Sequence, residues 1–250
     1  DHRDLHKEYR RQRQMCIRDR VNVSPRVQQS LTRGDLCHRE AEFSDLSDAI
    51  RAKVVKAFGS VAYSVVLLSG SGTLAVEAMV WSAVPDGKKL LVINNGVYGD
   101  RISQMADAHN IPYEELRFEW TLPPDLDQIE AALERDPSIA AVAAVHHETT
   151  TGLINPVGEI GNIVRRRDRR FLLDAVSSLG GEDLDFERDH VELCSCTAYI
   201  CIQGLPGVSF VVGKKEVLRS MGGYYRRSLY LYLPLHWEAQ ELSGTPFTPA

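Results

Sequence analysis

The stretch Val65-Val66-Leu67-Leu68-Ser69-Gly70-Ser71-Gly72-Thr73 joins a short apolar run to a loop of glycine and hydroxyl residues. The apolar run predicts a buried β-strand, and the residues that follow the loop, through Val84, predict a helix. Such a loop offers backbone N–H groups and hydroxyls to an anion at the helix N-terminus. It lacks the lysine of a Walker A loop and the G-x-G-x-x-G spacing, so a tight structural turn explains it equally well.

The same alternation of strand and helix continues along the chain. Further strands are predicted at Leu90–Ile93, Ile139–Val145, Phe171–Leu173, Leu193–Ala198 and Val208–Val212. Helices are predicted from Ser44 or Asp45 to Phe58, from Asp100 to His109, from Asp125 to about Arg135, from Asn155 to about Arg167 and after Gly213. Continuous apolar strands separated by helices indicate an α/β fold with a mainly parallel central sheet and helices on both faces.

Composition excludes several classes of protein. The chain has 250 residues, 44% of them hydrophobic, and a formal net charge of −5, which argues against a general nucleic-acid binder. Its apolar runs are too short to cross a bilayer and no apolar signal-peptide core follows the N-terminus, so we expect a cytoplasmic protein without a membrane partner. Five cysteines without paired spacing fit a reducing compartment. Cys194, Cys196 and Cys201 lie in or beside a β-like run, which is typical of buried thiols rather than of a metal site.

Residues 1–20 differ in composition from the rest of the chain. They hold seven basic and four acidic residues, which leaves 22 basic and 30 acidic residues, a net charge of −8, for the other 230. A basic arm that binds nucleic acid or acidic lipid is one interpretation. We favour a non-native or disordered extension, because Met15–Arg20 resembles translated adapter sequence. Residues 21–250 are therefore taken as the folded part.

Polar loops follow several of the predicted strands, at the sheet edge where ligands bind in folds of this class. Asn94–Gly99 places Tyr98 beside glycines, and His146–Gly152 is unusually rich in polar side chains. Adjacent histidines on a strand point to opposite faces, which argues against a metal site shared by His146 and His147. Asp174 ends an apolar strand, and its carboxylate needs a positive partner if it is buried.

The ordered series GSGT (70–73), NNGVYG (94–99), HHETTTG (146–152), LLDAVSS (172–178) and CIQGLPGVSF (201–210) resembles the class V aminotransferases, which are fold-type I pyridoxal-phosphate enzymes. Within this family it looks most like transaminases of 2-aminoethylphosphonate and pyruvate, with alanine– or serine–glyoxylate transaminases as alternatives. The resemblance covers residues 21–250. It implies pyridoxal 5'-phosphate as cofactor, a small-molecule amino donor and a 2-oxo acid as substrates, and a homodimer with shared sites. It also implies that the chain is the large domain, truncated at both ends, with the small C-terminal domain largely missing.

The resemblance also assigns roles to residues of this sequence. It implies that Ser71, Gly72 and Thr73 hold the cofactor phosphate, and that Thr245 reaches the phosphate of the cofactor in the neighbouring subunit. It implies that Tyr98 stacks on the pyridine ring of the cofactor and that Thr149 lies beside the oxygen on that ring. It also implies that Asp174 pairs with the protonated ring nitrogen.

One departure from the family affects the chemistry directly. The lysine that forms the Schiff base with the cofactor falls at Ile200, which follows Tyr199 where the family has asparagine, so we expect the chain as written to be inactive. Lys214 and Lys215 lie past the next strand, where a solvated face is the simplest interpretation. Tyr232 stands where relatives usually have aspartate. The changes at Tyr199, Ile200 and Tyr232 can each arise from a single nucleotide substitution. Sequence error, gene decay and genuine loss of catalysis are therefore all open interpretations. A non-catalytic fold-type I scaffold is the alternative function.

Overall fold

The computed structural model describes residues 23–224 and 228–243. The predictions for residues 1–20 and for Thr245 lie outside the described residues.

The described chain alternates helices and strands from end to end. Its helices are α1 (Pro25–Gln29), α2 (Ala41–Phe58), α3 (Gly72–Ala83), α4 (Val97–Ala108), α5 (Leu126–Arg135), α6 (Val157–Arg166), α7 (Lys215–Met221) and α8 (Leu233–Ser243), with a 3-10 turn at Ser30–Thr32. Its strands are β1 (Tyr63–Ser69), β2 (Lys89–Asn94), β3 (Tyr113–Arg117), β4 (Ile139–Val145), β5 (His147–Glu148), β6 (Leu153–Ile154), β7 (Arg170–Asp174), β8 (Leu193–Thr197) and β9 (Val208–Lys214).

Seven strands form one sheet in the order β1-β9-β8-β7-β4-β2-β3. The five strands from β8 to β3 are parallel to one another, while β9 runs antiparallel to both β1 and β8. Strand β2 shows that the sheet is covered on both faces, since Leu90 and Val92 join one apolar cluster with α3 and α4, whereas Leu91 and Ile93 join another with α5 and α6. The predicted mainly parallel α/β fold is therefore confirmed.

Helix α2 corrects one prediction. It begins at Ala41 rather than at Ser44 or Asp45. The spacing of Leu46, Ile50, Val54 and Phe58 predicts an apolar, buried face, but Leu46 and Ile50 are 45% and 39% exposed. Arg51 is buried instead, at 8% exposure. Its Nε donates to the carbonyl oxygen of Val65 at 2.9 Å, because β1 is the edge strand and leaves that oxygen free for a side chain. The contact of Arg51 with β1, rather than the apolar pattern, thus decides which face of α2 is buried.

Helix α8 was not predicted, and it covers the same edge of the sheet. The side-chain amide of Gln240 accepts a hydrogen bond from the Leu67 N–H at 2.9 Å and donates to the Leu67 carbonyl oxygen at 2.8 Å. Arg51 also donates to the Gln240 carbonyl oxygen at 2.8 Å. Strand β1, α2 and α8 are therefore joined through buried polar contacts.

The cysteines of β8 are packed as core residues. Cys194 and Cys196 are 0% and 1% exposed, and burial raises the pKa of both thiols. The four cysteines within the described residues are all free. Nowhere in residues 23–224 or 228–243 does a helix have both the length and the apolar character needed to span a bilayer.

Candidate active site

A cavity lies at the carboxyl ends of β4 and β7, between the N-termini of α3 and α4. Four residues that the sequence singled out line it, namely Gly72, Thr73, Tyr98 and Asp174. His147 and Arg101 line it as well. His146, by contrast, is 2% exposed and does not line this cavity. The structure therefore gathers four of the seven site residues that fall within the described chain.

Asp174 is a buried acid, 5% exposed at the end of β7. Its Oδ1 accepts a hydrogen bond from the Val176 N–H at 2.9 Å. Burial raises the pKa of Asp174 to about 6; the Val176 N–H and the charge of Arg101 oppose this shift, and the charge of Glu148 adds to it. Within the described residues Asp174 forms no salt bridge, so a cation inside the cavity would stabilise its charged form.

The N-terminus of α3 closes one side of the cavity. The first N–H groups of a helix have no partner within the helix, so those of Gly72 and Thr73 are available to an anion. A Cβ atom at Gly72 would lie 2.7 Å from Cγ1 of Val176, so only glycine lets α3 approach the loop after Asp174 this closely. Ser71 precedes the helix as an exposed residue and does not line the cavity.

The N-terminus of α4 is held by Glu148, a residue to which sequence analysis gave no role. Helix α4 begins at Val97, earlier than the predicted Asp100, so Tyr98 lies in its first turn. Glu148 is fully buried and accepts hydrogen bonds from the N–H of Gly99 at 2.9 Å and of Tyr98 at 3.3 Å. Burial raises the pKa of Glu148, and these two bonds partly oppose the shift. Glu148 therefore holds the backbone of the first turn of α4, which carries Tyr98.

Alanine in place of Gly96 is expected to displace the Glu148 carboxylate from the N-terminus of α4. The new Cβ would lie 2.4 Å from Cδ of Glu148, while the backbone at φ −179° suits any residue, so the effect is purely steric. We expect Gly96→Ala to lower the free energy of unfolding by about 2 kcal/mol in urea denaturation. Gly34→Ala is the control, since nothing lies within 4 Å of its Cβ position. Equal denaturation midpoints for the two variants would contradict this close contact.

Two further predicted residues lie apart from the cavity lining. Thr149 is half-buried in the turn after β5. Ile200 is 5% exposed in the turn after β8 and belongs to neither apolar cluster. Its neighbour Cys201 donates through Sγ to the carbonyl oxygen of Ser177 at 3.4 Å, and Ser177 lines the cavity. The turn that carries Ile200 therefore adjoins the site.

Lys214 and Lys215 lie at the far end of β8. Because β9 is antiparallel to β8, Gly213 pairs with Leu193, the first residue of β8, whereas Ile200 lies three residues beyond Thr197, the last one. Both lysines are half-buried, and none of the lysines within the described residues lines the cavity. Their position at the opposite edge supports a role away from the site.

Tyr232 is a core residue rather than a cavity residue. It is 2% exposed, its hydroxyl donates to the carbonyl oxygen of Met221 at 2.7 Å, and its ring packs edge-on against Trp81 with centroids 6.3 Å apart.

Several relatives and solved structures are similar to this chain. A 2-aminoethylphosphonate–pyruvate transaminase of Syntrophobacter fumaroxidans is 40% identical over 90% of this chain and 60% of its own length. One from Vibrio vulnificus is 39% identical over 89% of this chain and 61% of its own length. The crystal structure of alanine–glyoxylate aminotransferase from Nostoc sp. superposes with a TM-score of 0.85 at 25% identity, covering 93% of this chain and 62% of that one. The chain thus spans about 60% of the length of these relatives.

The family described as aminotransferase class-V matches residues 22–248, nearly the whole chain. Its enzymes use pyridoxal phosphate, so the predicted cofactor is confirmed at the level of the family. The match, the identities near 40% and the shared fold lead to one conclusion: the chain belongs to the class-V aminotransferases.

Proposed function

We propose that this chain is the cofactor-binding part of a transaminase that moves an amino group from 2-aminoethylphosphonate to pyruvate, giving phosphonoacetaldehyde and alanine. The names of the relatives near 40% identity support this choice of substrates. The observation that carries the proposal is the buried carboxyl of Asp174, which shares one cavity with Tyr98 and the N-terminus of α3. The likeness to the Nostoc structure favours alanine–glyoxylate transamination as the alternative.

The residues of the cavity fit the ring and the phosphate of pyridoxal phosphate. When bound, this cofactor supplies an aldehyde that takes up an amino group and a ring that accepts an electron pair. Asp174 would hold the proton on the ring nitrogen, Tyr98 would stack on the ring, and the N–H groups of Gly72 and Thr73 would donate to the phosphate. Each of these roles is polar or aromatic and needs no covalent bond to the protein.

Ile200 does not fit the covalent part of the family's chemistry. An isoleucine side chain offers no amine to attach the aldehyde and no proton to transfer. Loss of a general base alone lowers a rate by about 10²–10⁴-fold, so we propose that the chain as written is at most a weak catalyst. The burial of Ile200 beside the site favours the second candidate, a non-catalytic scaffold that binds the cofactor.

We also propose a homodimer with shared sites, in which Thr245 reaches the neighbouring subunit's phosphate. The proposal includes a cytoplasmic location, which the free thiols of the described chain support. Both are inferred from the family and from cysteine usage.

A comparison of amino donors in the Ile200→Lys variant tests the proposed reaction. We expect kcat/KM for 2-aminoethylphosphonate with pyruvate to exceed that for alanine or serine with glyoxylate by at least about tenfold, roughly 1.4 kcal/mol of discrimination. The reverse preference would support the alternative substrates. Cofactor binding without turnover of any donor would support the scaffold.

A further inference from the structure

Arg101 approaches the cavity from α4, one turn after Tyr98. The two residues are three positions apart, which places them on one face of the helix. The Arg101 Cζ atom lies 4.9 Å from the centroid of the Tyr98 ring, and Nη1 lies 3.4 Å from Oγ1 of Thr73. The guanidinium therefore joins the proposed ring platform to the first turn of α3.

Most of the hydrogen-bonding capacity of Arg101 is unused within the described residues. A guanidinium carries five N–H donors, and Arg101 directs one of them to Thr73 and forms no salt bridge there. Arg117, by contrast, binds both Asp100 and Glu115. An arginine whose remaining donors border a cavity is suited to bind a planar or tetrahedral oxyanion.

The cavity is also lined by charges of opposite sign that come from different elements. Asp174 contributes a carboxyl from the end of β7, while Arg101 and the N-terminus of α3 contribute positive charge from the side of Thr73. A ligand with a cationic ring and an anionic substituent matches both groups at once. A phosphorylated pyridine has these two features.

We propose that Arg101 is an additional anion-binding residue of this site and donates to the phosphate of a phosphorylated pyridine. The proposal rests on the function proposed above, because it assumes that this ligand enters the cavity. It extends that function, since the resemblance implied only Ser71, Gly72, Thr73 and the neighbouring subunit's Thr245 for the phosphate.

The test compares pyridoxal phosphate with pyridoxal, which has the same ring and no phosphate, by equilibrium dialysis. We expect Arg101→Met to weaken pyridoxal phosphate binding by about 10–100-fold, the range for a charge-assisted hydrogen bond, and pyridoxal binding by less than about 3-fold. Arg101→Lys should recover part of the loss. Inorganic phosphate should compete with pyridoxal phosphate in the unaltered chain and compete more weakly in Arg101→Met.

Arg219→Met is the matched control, because Arg219 stacks on Trp237 at 5.7 Å and does not line the cavity. We expect it to change either affinity by less than about 2-fold. Urea midpoints of all variants show whether each is folded.

Equal weakening of both ligands would overturn the proposal, because Arg101 would then act through Tyr98 or Asp174 alone. Tighter binding of either ligand by Arg101→Met would overturn it too, since the guanidinium would then obstruct the ring. Failure of both ligands to bind the unaltered chain would contradict the proposed function instead. Inorganic phosphate then tests Arg101 by itself: loss of phosphate binding in Arg101→Met supports the proposal, and unchanged or absent binding overturns it.

Discussion

Lysine in place of Ile200 is expected to give a chain that holds pyridoxal phosphate covalently. The position is 5% exposed, and burial lowers the pKa of an amine, so a useful fraction of the new side chain would be uncharged and nucleophilic near neutral pH. The same amine could transfer a proton, which is worth about 10²–10⁴-fold in rate. Borohydride reduction followed by peptide mass spectrometry locates the attached cofactor, and single-turnover kinetics measure the gain.

Ile200→Met is the matched control, because methionine has a similar length and remains apolar without an amine. We expect no trapped cofactor on this variant and the same noncovalent affinity as in the unaltered chain. Trapping of cofactor on the unaltered chain at another lysine would show that position 200 is wrongly assigned. So would an Ile200→Lys variant that binds the cofactor and is not trapped.

Asparagine in place of Asp174 is expected to stabilise the protein near neutral pH and to weaken cofactor binding. The folded-state pKa of Asp174 is about 6, above its ordinary value of 3.8. Well below pH 3.8 the acid is protonated in both the folded and the unfolded states, and it has no net effect. Between pH 3.8 and pH 6 the unfolded state gives up this proton more readily than the folded state, so stability falls by 1.36 kcal/mol per pKa unit, and the loss is complete at pH 7, where it is about 3 kcal/mol.

Urea denaturation of Asp174→Asn without cofactor should therefore lack this loss of stability between pH 4 and pH 7. Its affinity for pyridoxal phosphate should fall by about tenfold or more, since the charged partner of the ring nitrogen is gone. Asp189→Asn is the control: Asp189 is 4% exposed and bound by Arg188 at 2.8 Å, so its removal should destabilise the protein. If Asp174→Asn and the unaltered chain lose equal stability over this pH range, burial does not raise the pKa of Asp174 in the folded state.

The clustering of three candidate site residues at the carboxyl ends of the strands could be predicted because it follows from local sequence. Thr73, Tyr98 and Asp174 each follow an apolar strand within a few residues, and parallel strands bring their carboxyl ends together. Glu148 and Arg101 could not be placed in this way. Glu148 reaches Gly99 across 49 residues of sequence, and Arg101 has the composition of any charged helix residue until its stacking on Tyr98 is known. Helix α8 was missed for a related reason, since its buried Gln240 interrupts an apolar pattern.

The contacts of Gln240 bear on how this protein behaves at high concentration. An outer strand with unpaired N–H and C=O groups is a template for the strand of another molecule, and β1 is an outer strand of this sheet. At Leu67 both groups are bound by the Gln240 amide, and at Val65 the carbonyl oxygen is bound by Arg51. Two side chains thus occupy backbone groups that a strand of another molecule would need, so we expect them to disfavour aggregation through this edge of the sheet.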